Sequence, residues 1–192
     1  MAVLLREKDM RKICGYVLVI IFLSAMKISA SDSVKLNSVG LTGGILLPQE
    51  NWDNGFSIEI QSDLGEIIKY IFLIPHIGYW HTGWNESDME LSYSNIYFGA
   101  KFIGYFNPKP RGFFAGLGIQ YHIINRDEID TGFNTTEPVV KNRQFEKLGF
   151  SFLAGYRLKL KKICFSFEPR YTVIPGGENM TTISLGASYL LP

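Results

Sequence analysis

Ile163-Cys164-Phe165-Ser166-Phe167-Glu168-Pro169-Arg170-Tyr171-Thr172-Val173 is the stretch on which the fold turns. Ile163, Phe165, Phe167, Tyr171 and Val173 share one parity, while Cys164, Ser166, Glu168, Arg170 and Thr172 share the other. Side chains of a β-strand point alternately to opposite faces, so this segment has one apolar face and one polar, charged face. A strand of a soluble sandwich has the same pattern. What decides between them is repetition of the pattern along the chain behind an N-terminal export signal.

Outward from 162–174, the same alternation marks strands at 35–47, 55–62, 68–80, 91–106, 112–124, 144–158 and 181–190. Most of these runs are longer than the common strand of about five or six residues. They suit tilted spans, which need about 9–11 residues to cross a bilayer. The apolar parity is uniform: Val39, Leu41, Ile45; Phe56, Ile58, Ile60; Ile96, Phe98, Phe102; Phe113, Leu117, Ile119; Phe150, Phe152, Tyr156; and Ile183, Leu185, Tyr189. The opposite parity mixes glycine, serine, histidine and charge. An apolar set free of charge on every strand suits lipid, and small or polar residues suit the interior of a narrow barrel. The expected fold is all-β: an eight-stranded antiparallel up-and-down transmembrane β-barrel in a cell outer membrane. A secreted ligand-binding barrel of the lipocalin kind is the alternative, and it would carry its apolar parity inside.

Residues 1–30 read as a signal peptide, leaving 31–192 as a single barrel domain. Arg11 and Lys12 supply the positive region, Ile13 to Met26 the apolar core, and Ile28-Ser29-Ala30 the cleavage site. The apolar run is shorter than the roughly 20 residues of a spanning helix. Later segments are shorter still, so a membrane-bound mature chain must cross as a barrel, where each backbone group finds a partner on the next strand. Cys164 is the one cysteine beyond the signal, which excludes an internal disulfide in the mature chain. A formal charge of +1 gives no nucleic-acid footprint.

The connections alternate in length. Short ones fall at Asp63-Leu64-Gly65-Glu66, at Asn107 to Arg111 and at Lys159-Leu160-Lys161, and longer ones at 48–54, 81–90, 125–143 and 175–180. Short periplasmic turns and long outer loops are the habit of such barrels. The outer set is acidic, and the second and third turns are basic.

Ile96-Tyr97-Phe98-Gly99-Ala100-Lys101-Phe102, Gly112-Phe113-Phe114-Ala115-Gly116-Leu117-Gly118-Ile119-Gln120-Tyr121 and Gly149-Phe150-Ser151-Phe152-Leu153-Ala154-Gly155-Tyr156-Arg157 resemble strands of small eight-stranded outer-membrane proteins of the OmpA/OmpX type. The resemblance covers the mature chain. It departs from that family at Tyr189-Leu190-Leu191-Pro192, where such barrels end in an aromatic residue. It implies a monomer among outer-membrane lipids, inserted by the barrel assembly machinery.

Function is less legible. His76 and His122 lie on the inward parity, and His81 opens a loop, but no carboxylate or thiol stands at ligand spacing beside them, so no metal or cofactor is expected. Neither a His-x-Ser pair nor a Gly-x-Ser-x-Gly elbow is present, so no enzyme is expected. Tyr70, Trp80, Trp84, Tyr93 and Tyr105 fall near strand ends, as an aromatic girdle would. Glu59, Lys101, Arg157, Glu168 and Arg170 all carry inward parity in the periplasmic half, and an interior this narrow should bring them together as a charge network that plugs the lumen. The expected role is structural or surface-exposed, with a ligand engaged through loop 125–143. Sideways transport of a small hydrophobic molecule and lipid modification are the alternatives.

Overall fold

The computed structural model describes residues 35–49, 52–86, 89–107, 111–130, 139–176 and 179–192. The signal peptide expected at 1–30 lies outside the described residues. The strands are β1 (Ser38–Pro48), β2 (Gly55–Asp63), β3 (Glu66–Ile68), β4 (Ile71–Glu86), β5 (Met89–Tyr105), β6 (Gly112–Asp130), β7 (Val139–Leu160), β8 (Ile163–Val173) and β9 (Met180–Leu190). All pairings are antiparallel. The sheet closes through β1–β9 and β2–β4, so eight long strands form a barrel and β3 is a three-residue addition at one rim.

The alternation seen in the sequence is the alternation of the wall. Leu41, Ile60, Ile77, Phe102, Leu117, Phe152, Phe165 and Leu185 are all exposed on the outside, whereas Thr42, Glu59, His76, Lys101, Gln120, Ser151 and Glu168 are buried inside. A water-soluble barrel inverts this pattern, so the lipocalin alternative is excluded. The chain is a membrane-spanning barrel with its apolar surface toward lipid.

Glycines on the inward parity let strands and long side chains approach closely. Gly99 is the sharpest case, because a Cβ there would run into the Ile119 carbonyl and stand 2.8 Å from the Gln120 Cα. Those neighbours are backbone and cannot swing aside. Gly99→Ala is therefore expected to cost about 1–3 kcal/mol, as overpacking does, measured by urea titration of the refolded barrel.

Strand ends differ from the sequence reading in three places. The segment read as one strand from 68 begins instead with β3, a Lys69-Tyr70 turn with Tyr70 at φ 70°, and then β4. The last short turn is Lys161-Lys162, with Lys161 at φ 55°. The largest difference is at the outer end. Most of 81–90 and of 125–143 is strand: β4 and β5 continue to Glu86 and Met89, and β6 and β7 to Asp130 and Val139. Past the lipid the outward positions are polar, as at Asn125, Asp127, Asn142 and Gln144, so the apolar alternation fades while the hairpin ladder goes on. His81 likewise lies within β4, paired with Phe56 and Ser94.

The barrel is consequently lopsided. β2 has 9 residues and β7 has 22. With about 9–11 residues needed to cross, β7 runs about ten residues past the hydrocarbon. β4 to β7 thus form a sheet projecting beyond the outer rim, and 139–149 of β7 pair with β6 alone.

Candidate functional site

The inward-facing side chains lie in layers along the barrel. Nearest the periplasmic end, Phe72, Ile74, Ile103, Tyr105, Phe114 and Leu153 form one apolar cluster. Toward the outer end, Leu46, Trp80, Tyr93, Tyr97, Ile124, Ile174 and Met180 form another, with Trp52 and Phe145 packed against it. Three of the tyrosine and tryptophan residues expected in a membrane girdle, Trp80, Tyr93 and Tyr105, are buried here instead, because they carry inward parity. Phe56, Phe113, Tyr156 and Tyr189 are among the aromatics on the lipid face.

A layer of paired charge crosses the interior. β2 supplies Glu59, β5 supplies Lys101, and β8 supplies Glu168 and Arg170. Lys101 is fully buried at 0% exposure, and its Nζ donates to Glu59 Oε1 at 2.6 Å, Glu168 Oε1 at 3.0 Å and Gln61 Oε1 at 3.0 Å. Arg170 grips Glu59 with two donors, Nη1 to Oε2 at 2.8 Å and Nη2 to Oε1 at 3.2 Å. It also donates to Glu168 Oε1 through Nη2 at 2.5 Å and Nε at 3.0 Å. Tyr97 donates its hydroxyl to Glu59 Oε2 at 3.1 Å. Two carboxylates and two cations cancel, which is what a buried cluster needs. Gly78 stands opposite Glu59 and leaves room for the Tyr97 ring that bonds it, and Gly118 stands opposite Lys101 and leaves room for Ser151.

Four of the five expected residues therefore meet, and Arg157 does not join them. Its Nη1 donates to Asp63 Oδ2 at 3.0 Å, and its guanidinium lies 5.5 Å from the Tyr105 ring centroid. Register is the reason. Arg157 stands opposite Ser166, nearer the periplasmic rim than Glu168. Asp63, read from sequence as a turn residue, was the missing partner. It continues the parity of Glu59 and Gln61, and that parity together with the one cation left over among the five expected residues was the available signal. Asp63 serves the turn as well, since its Oδ1 accepts from the Gly65 N–H at 2.9 Å.

A polar layer flanks the charges. The His76 Nδ1 faces the Ile74 carbonyl at 3.4 Å, and its Nε2 accepts from the Gln120 amide at 3.1 Å. Asn95 donates to His122 Nδ1 at 2.8 Å. The described residues include no group of three or more His, Cys, Asp and Glu side chains spaced to hold a metal.

The projecting sheet is the other distinctive feature. On its inward face Arg126 lies over Trp52 and Tyr93, at 5.6 and 5.9 Å from their ring centroids. Arg126 stands directly opposite Arg143 in the β6–β7 ladder. Asp127, on the outward face, accepts from the Ser92 N–H at 3.0 Å and from Asn142 at 2.8 Å, so the hairpin is tied across three strands.

No protein-family model matches this chain, and no curated protein sequence matches it. Solved structures do. Neisserial surface protein A is similar at 14% identity with a TM-score of 0.52, over 80% of this chain and 96% of that one. The β-domain of the Bordetella autotransporter BrkA is similar at 8% identity and a TM-score of 0.50, over 83% of this chain and the whole of that one. Ail, the attachment invasion locus protein of Yersinia pestis, aligns at 14% identity and a TM-score of 0.48, over 83% of this chain and 99% of that one. At such identities the likeness is one of fold. That fold and the lipid-facing exterior make this chain an outer-membrane β-barrel.

Proposed function

We propose that this barrel is a non-enzymatic surface-recognition protein, with a sealed lumen and a ligand-binding outer sheet. The observation that carries the reading is the contrast between a filled interior and a wall that rises well past the membrane on one side. A channel needs an open lumen, and here two apolar clusters bracket a neutral charge layer. A purely structural barrel needs no extra strand length, whereas β4 to β7 continue beyond the other strands and are cross-tied at Asp127. His76 is held by Gln120 and the Ile74 carbonyl, and one ring nitrogen of His122 by Asn95, which supports a non-catalytic interior. A sheet closed on itself offers no barrel edge to another copy, in keeping with a monomer placed by the barrel assembly machinery.

Two measurements test this reading. In planar bilayers the refolded barrel is expected to show no steady conductance, and a large, sustained conductance would remove the plug. Replacing 125–143 with a two-residue turn is expected to abolish binding of expressing cells to immobilised host glycans and matrix proteins. Unchanged binding would refute the outer sheet as the recognition surface.

A second reading, sideways passage of a small hydrophobic molecule, is favoured by one detail. The β7–β8 ladder skips between Leu153↔Arg170 and Tyr156↔Phe167, where Pro169 has no N–H to give, while pairing with β9 runs on unbroken. Pro169→Ala would restore that donor. If the gap is a passage, the variant should slow uptake of a hydrophobic dye into proteoliposomes, and an unchanged rate would dismiss it.

A further inference from the structure

Among the described residues, the rim with the short turns is predominantly basic. Lys69 sits in the β3–β4 turn, Arg111 leads into β6, and Lys159, Lys161 and Lys162 surround the β7–β8 turn; all are exposed. Two described side-chain carboxylates at this level already have partners. Asp63 is buried on Arg157, and Glu66 accepts from the Tyr70 backbone N–H. The cations come from separate connections around the barrel, so they make a collar and not a single charged loop.

Apolar side chains are interleaved with that collar. Ile68, Phe106, Phe113 and Leu160 are exposed at the same level, Phe106 at 75%. Lys161 and Lys162 lie directly between Leu160 and Ile163, both of which face outward. A lysine this close to a lipid-facing residue keeps its stem along the apolar wall and its ammonium at the depth of the headgroup phosphates. A soluble acidic partner would satisfy the cations but leave Phe106 and Ile68 in water. A headgroup layer receives both.

We propose that this collar binds the phosphates of anionic phospholipids in the periplasmic leaflet, gathering them around the barrel foot and holding its depth and orientation. A cation near a charged leaflet favours it by about fivefold at low salt, so several cations facing one annulus should enrich anionic lipid clearly. The attraction is electrostatic and exposed, so salt should weaken it.

The test uses the refolded full barrel in phosphatidylcholine vesicles containing trace spin-labelled phosphatidylglycerol or phosphatidylcholine. The motionally restricted fraction of each label gives the relative association constant. Wild type is expected to prefer phosphatidylglycerol about two- to fivefold at low salt and to lose most of that preference at high salt. Lys159→Gln/Lys161→Asn/Lys162→Gln should lower the preference, and so should the independent pair Lys69→Gln/Arg111→Gln. Asparagine is used at position 161 because it tolerates positive φ. Lys141→Gln/Arg143→Gln, on the opposite projection, should leave it unchanged. Heat-modifiable migration on gels reports whether each variant is a closed barrel. No preference in wild type, or a preference that survives both rim sets, would overturn the proposal. So would an equal loss on altering Lys141 and Arg143. Capture of polyglutamate by wild type in neutral vesicles, with no lipid preference, would overturn it in favour of an acidic periplasmic partner.

Discussion

Exchanging Glu59 for glutamine is expected to lower the unfolding free energy by about 3–5 kcal/mol, the cost of breaking a buried ion pair from one side. Glu59 is 3% exposed and bonds Lys101, both terminal nitrogens of Arg170, and Tyr97. Glutamine keeps the shape but removes the charge, leaving two buried cations to share Glu168. Glu168→Gln should fall in the same range, with Arg170 and Lys101 left on Glu59. The pair Glu59→Gln/Arg170→Gln removes one charge of each sign, so its loss should be well short of the sum of the single losses. Urea titrations followed by tryptophan fluorescence in detergent or vesicles measure these three variants and the Arg170→Gln single change that the sum requires. A Glu59→Gln loss below about 1 kcal/mol, the level of exposed pairs, would show that the charges are hydrated and that the layer is no plug.

Placing arginine at Leu117 should cost about 2–4 kcal/mol in a bilayer, because this residue faces lipid near the middle of its span. Leu117 is exposed, and it pairs with Phe102 and Phe152, which are exposed as well. The same change at Tyr189, near the periplasmic rim, should cost about 0–1 kcal/mol. The gradient with depth is the informative part. On a water-exposed surface both substitutions would stay within about 0.5 kcal/mol, so a flat profile would refute the membrane placement itself.

Parity made most of this fold readable. Any strand in a lipid-facing wall must keep one face apolar, and Phe165, Phe167, Phe150 and Phe152 record that demand directly. The charge layer was legible for the same reason, since Glu59, Lys101, Glu168 and Arg170 interrupt the inward face of strands that meet only across the lumen. What parity does not encode is height. Arg157 shares the inward face but lies too low to reach Glu168, and its partner Asp63 is disguised by its position at a strand end beside a turn. Trp80 and Tyr93 misled for a related reason: nearness to a strand end suggests a girdle, but the side on which they point puts them inside. Where the wall leaves the membrane the demand for apolar residues stops, and with it the signal. The outer halves of β6 and β7 are held by ladder bonds that residue type does not reveal.

The distribution of the charge layer has a kinetic consequence. Glu59 and Arg170 are 111 positions apart in sequence, and Lys101 and Glu168 are 67 apart. Their strands are not neighbours in the wall, so no hairpin can join them early. An unclosed sheet could pair Arg170 with Glu168 within β8, but it would carry Glu59 and Lys101 unneutralised toward lipid. Sealing the β1–β9 seam and cancelling the interior charge are therefore a single event, and intermediates with a partly rolled sheet are disfavoured. Assembly of this barrel should be all-or-none and slow, as topologies dominated by distant contacts are, with the salt-bridged layer acting as a lock that engages only when the last strand is home.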